Sequence, residues 1–433
     1  MSFYLSIALF LLTYAIIITE KINRAVMALI GAVLAVLLGL IDIETAFHKY
    51  IDWGTITLLV GMMILVGVTN KTGVFQYAAV HSAKWVKGRP VHILIVLSAL
   101  TGLGSAFLDN VTTVLLIAPV TLSITRILGV NPVPFLISEV LFSNIGGTAT
   151  LIGDPPNIML GQAVKHLTFN AFLLNLTPVI LLIGAVTLWI FYYMFRGQMH
   201  VPEEKRKALM ALNEKAYLKD PKLLKKSLVV MALTILGFLL HPVIHVDNAV
   251  VAISGATLLM LIGVKHDEVE EVLWTVEWET IFFFCGLFTV IGALDHAGVI
   301  KALAQLALDL THGNIALTAL LILWVSGLAS ATIDNIPYVA TMIPLIEKMV
   351  EGMGYSIHSP HVDALWWSLA LGACLGGNAT VIGASANVVV SGIARRHGHG
   401  FSYMEFLKIG APLTFVALVI STIYIFFRYL LFL

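Results

Sequence analysis

Apolar runs long enough to cross a hydrocarbon core of ~30 Å recur from one end of this chain to the other, at Phe3 to Thr19, Ala25 to Ile41, Ala171 to Phe195 and Phe406 to Phe427. A chain patterned in this way takes lipid as its solvent. The composition agrees: 59% of residues are hydrophobic and 12% charged, where a soluble domain carries about a quarter charged. The first run lacks a basic leader and a small-residue cleavage site, so it reads as a retained first helix rather than a signal peptide. Cys285 and Cys374 both fall in apolar segments, which leaves no disulfide framework and no Cys-rich metal site. No cofactor or nucleic-acid partner is expected.

An internal repeat organises the chain. Trp53-Gly-Thr-Ile is answered by Trp278-Glu-Thr-Ile, and Gly61, Gly67 and Gly73 recur as Gly286, Gly292 and Gly298, all at an offset of 225. Ser105-Ala-Phe-Leu-Asp-Asn matches Ser330-Ala-Thr-Ile-Asp-Asn at the same offset, pairing Asp109 with Asp334 and Asn110 with Asn335. A third block follows at an offset of 230, where the run Gly146 to Asn157 matches the run Gly376 to Asn387. Three ordered blocks at nearly constant spacing signal two structural repeats.

The halves are separated by residues 196–226, which hold nine Lys or Arg residues with Pro202 and Pro221. By the positive-inside rule this is a cytoplasmic linker between a first repeat at 1–195 and a second at 227–433. Reading Val91 to Leu128 and Ile315 to Val350 as re-entrant hairpins places both termini outside. Of the 25 Lys and Arg residues, all but Lys49, Lys165, Lys301, Lys348 and Arg428 then fall inside. The Trp53 helix would run inward and the Trp278 helix outward, so the repeats are inverted about an axis in the membrane plane. The expected fold is an all-α polytopic membrane protein with two inverted-topology repeats. Each holds about five transmembrane helices, one of them broken, and one re-entrant hairpin.

Two constellations bear chemistry. An ionisable side chain at membrane depth is costly, by translocon scales roughly 2.5–3.5 kcal/mol for Asp at a helix centre, and Asp109 and Asp334 both lie in apolar surroundings at the hairpin tips. A carboxylate there can bind a cation or take up a proton; the structural alternative is an N-cap of the second hairpin helix. The second constellation pairs the stretch from Asn144 through Gly146, Gly147, Thr148, Thr150, Asp154 and Pro155-Pro156 to Asn157 with its partner, Cys374 through Gly376, Gly377, Asn378 and Thr380 to Asn387. Paired glycines followed by proline cannot continue a regular helix, so each helix is expected to break mid-membrane, where irregular backbone is tolerated only if it lines a cavity or is buried in protein. Gly-mediated close helix packing is the structural alternative. Asp154 has Ala384 as its counterpart, so a third carboxylate sits in one half only.

Weaker candidates are Cys374, which could meet a thiophilic substrate but more often behaves as a small hydrophobe, and the run Arg395-Arg-His-Gly-His-Gly, read as an interfacial loop despite His397 and His399. Glu139 and Glu20 lie within or at the edge of apolar stretches and read equally as coupling groups or helix-end residues.

At the Asp-Asn hairpins and the Gly-Gly-Thr-Ala-Thr-Leu-Ile-Gly-Asp-Pro-Pro-Asn break, the chain resembles the ion transporter superfamily of arsenite permeases, sodium–proton antiporters, dicarboxylate carriers and the P protein, over essentially its whole length. Dicarboxylate and citrate carriers place Ser-Asn-Thr at the tips; Leu108-Asp-Asn-Val-Thr-Thr and Ile333-Asp-Asn-Ile-Pro are instead similar to the arsenite-permease, P-protein and sodium–proton antiporter branch. The resemblance implies a secondary transporter of the plasma (inner) membrane, exporting arsenite or antimonite against proton entry. An enzyme would need a soluble catalytic domain where the only sizeable polar stretch is the linker, and a channel has less need of protonatable residues in both repeats. Sodium–proton exchange is the alternative, and a carboxylate or other anion the minor one. Asp109, Asp154 and Asp334 are the expected coupling residues. Asn110, Thr112, Thr113, Asn144, Gly146, Gly147, Thr148, Thr150, Asn157, Asn335, Cys374, Gly376, Gly377, Asn378, Thr380 and Asn387 are the expected substrate contacts. The resemblance alone raises a soluble ATPase as partner, with residues 196–226 as its docking surface; a solvated charged tether is the plainer reading of that segment. Oligomeric state stays open.

Overall fold

A computed structural model describes residues 2–19, 21–197 and 199–432; Glu20 lies outside the described residues. Every regular element among them is helical, as a chain in lipid requires when each backbone N–H and C=O must be satisfied within its own segment. The principal helices of the first half are α1 (Ser2–Ile18), α2 (Arg24–Leu37), α3 (Trp53–Lys71), α4 (Val74–Trp85), α5 (Pro90–Ser105), α6 (Asn110–Leu128), α7 (Val133–Thr148), α8 (Pro155–Ala163) and α9 (Thr177–Phe195). Those of the second are α10 (Pro221–Ile244), α11 (Asn248–Gly263), α12 (Trp278–His296), α13 (Val299–Thr311), α14 (Ile315–Ser330), α15 (Asn335–Gly352), α16 (Asp363–Gly376), α17 (Ser385–Arg396) and α18 (Tyr403–Arg428). Each helix of the first half thus has a counterpart nine places on. Six of the described helices, α3, α6, α9, α10, α12 and α18, are long and apolar enough to cross a membrane alone, and α1, α2, α5 and α11 are shorter apolar helices.

Packing follows the same correspondence. Helix α2 lies along α12 and α11 along α3, while α5 packs on α7 and α14 on α16. The repeat-related α3 and α12 are antiparallel: Lys71 at the end of α3 pairs with Glu271, ahead of α12, at 2.9 Å, and Tyr50, ahead of α3, donates to Asp295 at the end of α12 at 2.9 Å. Small residues let the helices approach closely. A Cβ on Gly146 would lie 1.9 Å from the Gly102 carbonyl oxygen, and one on Gly376 would lie 2.5 Å from that of Gly327. The Gly-packing alternative therefore describes these two glycines, which hold each hairpin against its broken helix. Short helices α4 and α13 were not among the expected crossings; α13 meets α14 at 118°, so it does not extend the hairpin arm.

The segment between the halves is not a solvated tether. It carries a helix at Glu203–Met210 and a 3-10 turn at Glu214–Tyr217, and α10 already begins at Pro221. It is pinned under the first half: Lys84 bonds Glu214 and the Leu212 carbonyl at 2.7 Å, Arg206 donates to the Lys87 carbonyl at 3.0 Å, and the Lys219 amide donates to the Thr72 carbonyl at 3.0 Å. Polar groups that would otherwise be left at the ends of α3 and α4 are satisfied this way, which is what folds the segment down.

Candidate functional site

Each hairpin turns on an Asp-Asn pair, and in both the Asp is the N-cap of the following helix. Asp109 accepts from the Thr112 amide at 2.8 Å and from the Thr112 hydroxyl, so both its carboxylate oxygens serve one residue. Asp334 accepts from the Ile336 amide at 3.0 Å. At the Thr112 position the second half has Pro337, which offers neither donor, and the second Asp334 oxygen turns elsewhere.

The two helix breaks lie at 149–154 and 380–384. The Asn that closes each motif satisfies the carbonyls the break leaves open. Asn157 donates to the carbonyls of Thr148 at 3.2 Å and Thr150 at 2.9 Å, and Asn387 to those of Gly377 at 2.8 Å and Thr380 at 2.7 Å. The breaks are joined across the halves by a buried amide chain. Asn110 donates to Asn144 at 3.0 Å; Asn144 donates to Asn378 at 2.8 Å and Asn387 at 2.9 Å; Asn378 donates to the Leu141 carbonyl at 3.1 Å. The repeat-related contact is Cys374 to Asn157, with S···O 3.6 Å.

Much of the expected substrate set is thus occupied by the protein itself. Thr113, Thr148, Thr150 and Thr380 direct their hydroxyls to backbone carbonyls of Asp109, Asn144, Ala106 and Ala331, while Thr112 serves Asp109. Gly147 and Gly377 face Gly153 and Gly383 across each break. None of these, nor Asn144, Asn157, Asn378, Asn387 or Cys374, lines either cavity at the hairpin tips.

What lines them is acidic. A small space of about 10 Å³, room for roughly one water, is bounded by Asp109, Asn110, Asp154, Glu277, Asn335 and Arg24. Asp154 is fully buried and, although it precedes α8, caps nothing; its oxygens accept from Asn335 at 3.2 and 3.4 Å. An Asp ahead of Pro-Pro could simply cap the second half-helix, but the Asp154 side chain does not do so. Arg24, Val111, Glu277, Thr280 and Ser385 also line an adjoining vestibule of about 620 Å³. The vestibule opens between the C-terminal end of α1 and the starts of α2 and α12, on the face where Lys71 and residues 196–226 lie.

Sequence reasoning missed Arg24, Glu277 and Glu279. Arg24 was counted only as an interior positive charge. It donates to Asp334 at 3.4 Å and to Ser385, stands 4.0 Å from Glu279, and lies over the Phe283 ring. Glu277 had a signal: it sits just before Trp278 as Asp52 sits just before Trp53, and the two acids are repeat-related at the offset of 225. Glu139, buried between α6 and α7, accepts from Thr121 and has no place at this site. His397 bonds the Ile393 carbonyl, and no group of three His, Cys, Asp or Glu side chains placed to hold a metal ion occurs among the described residues.

Known proteins share this architecture. The chain is 46% identical over 428 residues to an uncharacterized transporter of Mycobacterium tuberculosis, covering 98% of each. To a 46 kDa membrane protein of Mycobacterium leprae it is 44% identical over 429 residues, covering 98% of this chain and 99% of that one. It is 34% identical over 491 residues to the human P protein, covering 95% of this chain and 58% of the P protein. Among solved structures, the YdaH transporter of Alcanivorax borkumensis aligns with a TM-score of 0.58 at 14% identity, over 91% of this chain and 87% of that one. MtrF of Neisseria gonorrhoeae, described as an antimetabolite efflux pump, aligns at 0.61 and 11% identity, over 92% and 84%; the likeness to both is one of fold. The sequence profile of the citrate transporter family matches residues 14–372, and this multi-pass membrane transporter belongs to that family.

Proposed function

We propose that the chain is a proton-coupled secondary transporter that exchanges a small cation, with Asp109 and Asp154 binding the cation and protons in competition. The observation that carries this reading is the site's charge balance. Asp109, Asp154 and Glu277 bound a space of about one water and Asp334 and Glu279 line the vestibule adjoining it, while the one cationic side chain lining either is Arg24. Carboxylates this deep need a positive charge beside them, and a proton or a metal cation supplies it. Among the described residues no three His, Cys, Asp or Glu side chains stand placed to hold a metal ion in this conformation, so a bound cation would rest on one or two carboxylates with Asn110 or Asn335 completing its shell.

Arsenite–proton exchange is the competing reading. It needs free amides to hold a neutral hydroxylated substrate, and the Asn144, Asn157, Asn378 and Asn387 amides are bonded to one another or to backbone. Citrate, which the family name brings forward, would bring three negative charges to five carboxylates and one arginine. The vestibule supports alternating access, with the hairpins and broken helices moving against the remaining helices. Residues 196–226 facing the cytoplasm would make this an inward-open state of an inner-membrane carrier, and a docked segment leaves less free surface for a soluble ATPase.

The test is flux in proteoliposomes with a pH gradient, adding sodium, potassium, arsenite and citrate one at a time. Dissipation of the gradient by sodium or potassium, lost in Asp109→Asn, is the expected result. Arsenite accumulation abolished by a protonophore, with no response to either cation, would overturn it.

A further inference from the structure

The two hairpin tips are repeat-related, yet they are chemically unequal. In the first half, Asp109 has Thr112 as its partner and, among the described residues, no cation bonded to it. In the second, Asp334 accepts from Ser385 at 2.6 Å and from Arg24 at 3.4 Å, and Arg24 also bonds Ser385. Four substitutions between the halves produce the difference. Pro337 replaces Thr112 and frees an Asp334 oxygen; Ser385 stands where the first break has Pro155 and supplies a hydroxyl to that oxygen; Arg24 stands where the second half has Ala249; Glu279 stands where the first has Gly54. Each change serves a guanidinium at the second tip. Arginine suits the task because its charge is permanent and its planar fork engages two partners at once.

We propose that Arg24 is a tethered counter-cation that permanently occupies the second-repeat ion site, so that Asp334 is a lock on the second hairpin and only the first-repeat site exchanges ions. The idea rests on the cation-exchange reading above. The groups facing Asp334 are Arg24 from α2, Glu277 just ahead of α12 and Glu279 on it, Ser385 from α17, Tyr14 from α1, and Asp154 of the first break through Asn335. Only Arg24 among them is positive. An arginine in that place does for Asp334 what a transported cation does for Asp109, but it cannot leave. A carrier built from two equal halves would thereby have one mobile-ion site instead of two, with the fixed charge holding the second hairpin tip against α2 and α17.

The experiment is a charge-deletion cycle: wild type, Arg24→Gln, Asp334→Asn and the double variant, each read twice. The first readout is cation-driven dissipation of a pH gradient in proteoliposomes. Asp334→Asn alone is expected to fall at least ~10-fold, because removing one partner of a partly buried pair leaves the other charge uncompensated; the double variant is expected to recover to within about threefold of wild type, and Asp109→Asn placed in that double background to abolish flux again. A double variant as inactive as Asp334→Asn would show that Asp334 carries exchanged ions itself and would overturn the proposal. The second readout, the thermal midpoint of the detergent-solubilised proteins, needs no substrate. It is expected to place the double variant above both singles, and additive losses would overturn the pairing. Wild-type vesicles without coupled flux for any tested ion would instead sink the cation-exchange reading, and the thermal cycle would still decide whether Arg24 and Asp334 form the lock.

Discussion

Asn144→Ala probes the junction on which the two halves meet. Its side chain is fully buried and makes three hydrogen bonds, accepting from Asn110 at 3.0 Å and donating to Asn378 at 2.8 Å and Asn387 at 2.9 Å. Truncation removes all three and strands one donor and two acceptors from partners in both repeats. At about 1 kcal/mol per bond the loss is about 3 kcal/mol; at the ~0.6 kcal/mol average measured between membrane helices it is about 2 kcal/mol. The expected destabilisation is therefore about 2–3 kcal/mol, a shift of ~30- to 150-fold in the folding equilibrium. Unfolding in mixed micelles reads it directly, because Trp366 and Trp367 are almost completely buried on α16 and report the loss of packing beside the second break. Asn144→Cys, which copies the repeat-related Cys374, is expected to fall between wild type and Asn144→Ala. A loss below about 0.5 kcal/mol for Asn144→Ala would refute the reasoning, since three buried amide bonds cannot vanish at so small a cost.

Gly146→Ala and Gly376→Ala are each expected to lower stability by about 1–3 kcal/mol through overpacking, with Gly146 the worse because its Cβ would meet backbone at 1.9 Å against 2.5 Å. Gly184→Ala, whose nearest neighbour would be 3.6 Å away, should be near neutral, and equal midpoints for all three would defeat the close-packing account. Asp109→Asn keeps an acceptor for the Thr112 amide, so it should lose proton-coupled flux ~10-fold or more, as general for removal of a coupling carboxylate, while its thermal midpoint stays close to wild type; retained coupling would remove Asp109 from the mechanism. Outside the membrane, the bond from Lys84 holds the Glu214 carboxyl below its ordinary value of 4.5. A depressed value means the docked segment is stabilised above the ordinary value and loses that stabilisation as pH falls through the folded one. Limited proteolysis within residues 196–226 should accelerate as the pH is lowered past that range in wild type and be fast at every pH in Glu214→Gln; a pH-independent wild type would contradict it.

The membrane class, the two repeats, the hairpin tips and the helix breaks were legible in the chain because each is a local demand written locally. An Asp-Asn pair inside apolar sequence has to cap something, paired glycines followed by Pro-Pro have to break a helix, and both demands recur at a fixed offset. The N-cap roles of Asp109 and Asp334, and the service of Asn157 and Asn387 to the carbonyls of their own breaks, are contacts within ten residues. The cavity-facing set was another matter. Arg24 and Asp334 are 310 residues apart, Asn335 and Asp154 are 181 apart, and no spacing rule joins such pairs. Nor does an Asn at membrane depth disclose whether its amide faces a substrate or another Asn, because both satisfy it equally. The sequence alone therefore determined that this chain crosses a membrane and where its backbone must turn and break. Only the tertiary structure decided which polar groups those turns leave free, since that depends on what the opposite repeat brings against them.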